Sequence, residues 1–181
     1  GSRRDVTFSL TCFAIFLFDL CCIGLYNSDS VIEGVQWQRL QVMTLPCVGI
    51  PFLWFCVAYC GTRSRKIPCV FTLYLIVSAV AQLCAPLRWT WSDQPDIKTF
   101  YVRATSYRIV YYEMLPGGLT ILIQTVGFLV FLYGLWLGVS MYRRGHKSKA
   151  VPLLLAGVVF MAGYTNDIAV NLGLYDSLYL V

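Results

Sequence analysis

Charge is scarce in this chain. Only 13% of its 181 residues are Asp, Glu, Lys or Arg, while 58% are hydrophobic. Ordinary soluble domains carry roughly a quarter charged residues. A chain this apolar has too little polar surface to cover itself in water, which excludes a soluble globular domain. Histidine is nearly missing. His146 stands alone, in a basic stretch, so a haem held by two histidines inside a bundle is excluded. No lysine falls within an apolar run, and a retinal-type Schiff base has no attachment point. There is no Cys/His spacing for zinc, no glycine-rich phosphate loop and no nucleophile–base pattern. No cofactor and no catalytic residue is expected, and the segment is not expected to be an enzyme.

What the chain does have is long hydrophobic runs. Five of them, at about 6–26, 35–60, 67–86, 119–142 and 150–167, are each near the ~20 residues that cross a bilayer as a helix. Pro46 and Pro51 interrupt the second run and favour a kink there. The polar loop 87–117 separates the third run from the fourth. Within it, the β-branched and aromatic segments Ile97–Arg103 and Tyr107–Glu113 flank Ala104-Thr105-Ser106, which predicts a small hairpin over 97–113. The expected fold is an all-α polytopic membrane protein with this hairpin outside the bilayer. All eight cysteines lie in or beside apolar runs and none in the polar loop, so they read as small packing residues, not a disulfide framework.

The net charge of +5 does not imply nucleic acid, because the basic residues flank the runs. If the spans alternate, Arg3, Arg4, Arg63, Arg65, Lys66, Arg143, Arg144, Lys147 and Lys149 fall on one side, and Asp29, Glu33, Asp93, Asp96 and Glu113 on the other. The basic side is the cytoplasm. Loops 61–66 and 143–149 are then inside and 87–117 outside, in a multi-pass protein of the cell's inner (plasma) membrane whose first partner is the lipid bilayer.

Polar groups at membrane depth are costly and mark candidate sites. Asp19 lies in the first run and reads either as a ligand or proton site or, more plainly, as one half of an interhelical hydrogen bond. Gln82 and Gln124 read as packing contacts. Asn166-Asp167, beside Tyr164, either caps the fifth helix or meets a polar ligand near the outer surface. The tryptophans mostly flank runs, as an aromatic belt would.

Certain strings go further. They are Leu25-Tyr26-Asn27-Ser28, then Gly34 to Gln41 (GVQWQRLQ) with Phe52-Leu53-Trp54-Phe55. Tyr111-Tyr112-Glu113 follows, with Pro116-Gly117 and Leu119-Thr120, and then Tyr142 to His146 (YRRGH) with Ala150 to Leu153 (AVPL). Asn166-Asp167 with Gly173-Leu174-Tyr175 and Tyr179-Leu180 completes the set. In this order they resemble the N-terminal seven-transmembrane sensor region of bacterial sensor histidine kinases, a region also found on diguanylate cyclases. The resemblance implies that the five runs are helices two to six of an incomplete seven-helix bundle. A first helix would precede Gly1, and a seventh would begin near Leu178 and lead to an output domain. The chain opens without Met and breaks off as an apolar run begins, as a piece of a longer protein would. The implied partners are cytoplasmic kinase or cyclase domains of the same chain, a second copy in a homodimer, and an unidentified small ligand. The expected sensing residues are Tyr111, Tyr112 and Glu113, with Asn166 and Asp167 nearby and Asp19 within the bundle. A different class, a small transporter subunit, rests on Pro46, Pro51 and Asp19 as a broken helix with an ion site. No inverted repeat accompanies them.

Overall fold

The computed structural model describes residues 2–102 and 107–179. In order these form α1 (Arg3–Tyr26), α2 (Val31–Tyr59), α3 (Lys66–Cys84), the single turn α4 (Leu87–Thr90), β1 (Trp91–Val102), β2 (Tyr107–Pro116), α5 (Gly118–Arg143) and α6 (Lys147–Asn171). Among the described residues, α1, α2, α3, α5 and α6 are long and apolar enough to cross a membrane. The protein is a multi-pass helical membrane protein with a small two-stranded antiparallel sheet.

Local chemistry sets the helix limits. Ser2 and Asp5 form a reciprocal capping box at the start of α1. The Ser30 hydroxyl accepts from the Glu33 amide at 3.3 Å, so α2 starts at Val31, a turn before its apolar pattern. It continues through Pro46 and Pro51 without interruption. The fifth span likewise runs past its apolar pattern to Asn171. Asn166 and Asp167 therefore lie within α6 and do not cap it.

α2 and α5 are the central helices. α2 lies against α1, α3 and α5, and α5 also carries α6. Between α5 and α6 the backbones approach closely. A Cβ at Gly138 would come within 2.9 Å of Leu154, and one at Gly157 within 2.5 Å of Leu135. Small residues serve this purpose where lipid gives helices no hydrophobic reason to associate. An aromatic stack of Phe52, Phe131 and Phe160, with centroids 4.7 and 4.8 Å apart, fills the middle. The outer faces are apolar: Phe13, Phe16, Val70, Leu73, Leu155 and Val159 are all more than half exposed. Exposed apolar faces on this scale suit a lipid environment and no aqueous one.

The strands pair with Asp96 opposite Glu113 and Lys98 opposite Tyr111, and a register shift falls between Trp91 and Pro95. The hairpin is longer than the strand-like segments suggest, because β1 begins at Trp91 and β2 ends at Pro116. The expected Ala104–Ser106 link lies outside the described residues. α2 covers the free edge of β2. The Gln38 side-chain amide donates to the Met114 carbonyl at 2.9 Å and accepts from the Met114 amide at 3.0 Å. One turn earlier, a Cβ at Gly34 would meet the Tyr112 carbonyl oxygen at 2.0 Å, so only glycine permits this approach. At the base of the hairpin the Thr90 carbonyl accepts from the Gly117 amide and the Thr120 hydroxyl, and Gln82 of α3 donates to that hydroxyl. All eight cysteines are free.

Candidate functional site

The hairpin presses one face onto the bundle. Alternation along the strands turns Lys98, Tyr111 and Glu113 inward, while Ile97 stays more than half exposed. Lys98 and Glu113, diagonal neighbours, form an ion pair of 2.7 Å with both side chains essentially without solvent contact. Asp96 adds a second carboxylate 3.4 Å from the Lys98 ammonium. Lys98 also donates to the Val170 carbonyl in the last turn of α6, which ties the sheet to that helix.

The Glu113 carboxylate has a second donor. The Tyr179 hydroxyl reaches it at 2.6 Å and accepts from the Asn171 amide at 3.3 Å. Asn171 in turn accepts from Gln124 of α5 at 3.2 Å. The result is a continuous line of hydrogen bonds from β1 through β2 and the stretch after α6 to α5. Burial pushes the Glu113 carboxyl above the usual carboxylate range, and the Lys98 ammonium opposes this. Burial and the adjacent Glu113 charge push the Tyr179 and Tyr111 phenols up, so both remain hydroxyl donors.

The segment after α6 folds back and is clasped at several points. Tyr111 donates to the Ser177 carbonyl, and its ring meets Tyr26 edge-on at 5.1 Å. The Tyr26 hydroxyl accepts from the Tyr179 amide at 2.7 Å. Asn166 donates to the Leu178 carbonyl and to Asp167, and accepts from Tyr175. The Asp176 carboxylate accepts from the Thr99 amide. Residues 176–179 have no regular structure, and Leu180 and Val181 lie outside the described residues. A cavity of about 30 Å³, bordered by Gln41, Gln124, Asp167, Asn171 and Tyr179, lies beneath this clasp and has room for a water molecule or two.

The expected sensing residues therefore separate. Tyr111, Glu113, Asn166 and Asp167 converge on one polar joint. Tyr112 faces α2 through its backbone carbonyl. Asp19 lies exposed on the outer face of α1. Gln82 and Gln124 make interhelical hydrogen bonds, in keeping with their reading as packing contacts. Lys98, Asn171, Tyr179 and Gln38 are the participants that pattern reading passed over. The missed signal lay in the hairpin, because pairing Ile97–Val102 with Tyr107–Tyr112 already sets Lys98 and Glu113 on one face. Chemically, the joint stores a buried charge pair with satisfied partners and has no open substrate volume.

Over residues 1–175 the chain matches the family model described as the N-terminal 7TM region of histidine kinase. No curated protein and no solved structure matches it.

Proposed function

The chain belongs to the N-terminal seven-transmembrane region of histidine kinases, and from that premise we propose that it is the sensing unit of a bacterial two-component system, passing a stimulus to a cytoplasmic kinase. Such a region is a sensory part of the kinase, not its catalytic part. In this reading the hairpin end faces outward, loops 61–66 and 143–149 are cytoplasmic, and two copies act together so that a small helix displacement reaches a kinase dimer. The supporting observation is the Lys98–Glu113–Tyr179 line, which joins an extramembrane sheet to the segment leaving α6. A stimulus that moves the sheet must break or strain the bonds by which the buried pair holds the bundle, Lys98 to the Val170 carbonyl and the Tyr179 hydroxyl to Glu113, and the chain after Asn171 feels that directly. A ligand shifts such an equilibrium only if it binds the two arrangements differently.

The test replaces Glu113 and, separately, Asp167 by alanine in the full-length protein and measures phosphorylation output in membranes. Altered basal output or a lost response at normal expression supports the reading. Unchanged signalling from both variants overturns the joint as the sensing element.

A further inference from the structure

A sizeable cleft lies at the hairpin end of the bundle. The first turns of α2, the turn α4 and the start of β1 enclose about 380 Å³, within the size range of small-molecule sites. Its walls are Val31, Ile32, Val35, Leu87, Trp91 and Met114, and its charged groups are Arg39, Arg88 and Asp93. Arg39 donates through Nη2 to the Gln82 and Leu83 carbonyls at the end of α3, at 2.9 and 2.6 Å. Its Nε is buried and has no acceptor. Trp91, 1% exposed, also buries an indole N–H without an acceptor. Arg88 is exposed and makes no ion pair or hydrogen bond among the described residues. The cleft thus has an apolar wall, two guanidinium groups against one carboxylate, and a net charge of one positive unit.

We propose that this cleft binds a single-chain amphiphilic acid, with its carboxylate between Arg39 and Arg88 and its hydrocarbon chain on the Val31–Val35 and Leu87–Met114 walls. The charge balance selects a monoanion, because two guanidinium groups face the one Asp93 carboxylate. The apolar lining disfavours an inorganic anion, which gains nothing from it. The planar guanidinium fork matches a carboxylate. Position favours the same ligand, since helix ends beside a polar hairpin lie where an amphiphile's head meets water and its tail meets lipid. This binding does not depend on the signalling role of the joint.

The probe is a dodecanoic acid carrying a diazirine, photolysed with the full-length protein in nanodiscs and mapped by mass spectrometry. Labelling should concentrate in residues 31–39 and 87–93. Dodecanoate should compete about tenfold better than dodecanol, the worth of one charge-assisted hydrogen bond. Arg88→Gln, which removes no structural bond, should reduce labelling about tenfold, and Arg88→Lys should retain most of it. Labels spread along the lipid-facing helices, equal competition by the alcohol, displacement by phosphatidylglycerol in place of dodecanoate, or undiminished labelling of Arg88→Gln would each overturn the proposal.

Discussion

The two ends of the bundle are built on different chemistry. Towards the basic loops the core is apolar: Leu53, Cys56, Val57, Leu137, Met141 and Ala150 are buried there. The Tyr59 hydroxyl, donating to the Lys149 carbonyl, is a rare polar link between spans at that end. At the hairpin end Gln38, Gln82, Lys98, Glu113, Thr120, Gln124, Asp167 and Asn171 are all buried. Apolar packing is non-directional and tolerates small slides, whereas a hydrogen-bonded line has discrete arrangements and is costly to leave half made. The basic end is therefore built to anchor, and on the proposed reading the hairpin end holds the part with two arrangements.

The sharpest way to break this comparison is a pair of double-mutant cycles read by thermal unfolding in nanodiscs. Glu113→Ala removes the nearer counter-charge of the buried Lys98 ammonium, leaving Asp96 at 3.4 Å, and should cost about 3 kcal/mol. Adding Lys98→Met should recover a large part of that loss. Leu53→Ala at the basic end should cost about 2–5 kcal/mol, and combined with Met141→Ala, a second core change at that end, it should add without any such recovery. Equal additivity at both ends would erase the distinction. Gly34→Val should come next. Its side chain would collide with the Tyr112 carbonyl, and the expected outcome is fast hydrogen exchange at Met114 with α5 and α6 unaffected. Gln38→Ala leaves Met114 N–H and C=O without partners and should cost about 1–3 kcal/mol, with the same local exchange signature.

Smaller still is the pH effect. The Glu113 carboxyl titrates above its ordinary 4.5 in the fold, so the folded state holds that proton more tightly than the unfolded chain does. Its contribution is complete below 4.5 and declines as pH rises through the raised value. Stability of the hairpin end should fall over that window, and Glu113→Gln should flatten the profile. Asp19→Asn should leave hydrogen exchange at the hairpin end unchanged, because Asp19 is exposed on α1 and makes no hydrogen bond or ion pair among the described residues.

Much of the architecture was legible from the residues. Runs of the right length, basic loops at alternate junctions and β-branched segments in the polar loop indicate five spans and a hairpin. Tyr111, Tyr112, Glu113, Asn166 and Asp167 were read as a group because the strings that carry the resemblance cluster at the outer end, and the structure brings all but Tyr112 to one joint. Lys98 was not, since a lysine in a polar loop normally faces water, and only the strand register buries it beside Glu113. Tyr179 and Asn171 were hidden for another reason. Their partners lie in β2 and α5, and contacts of such sequence separation leave no periodic trace. Gln38 looked like a solvated residue of an amphipathic turn, whereas its amide serves the edge of a sheet.

That last contact has a mechanical consequence. A side-chain amide holding both the N–H and the C=O of Met114 acts as a pivot. Sliding the sheet along α2 in either direction would break both bonds at once, whereas rocking about the amide preserves them. This contact taken by itself permits rocking and opposes sliding, and a rocking displacement on one side of the Gln38–Met114 axis must appear with opposite sign on the other.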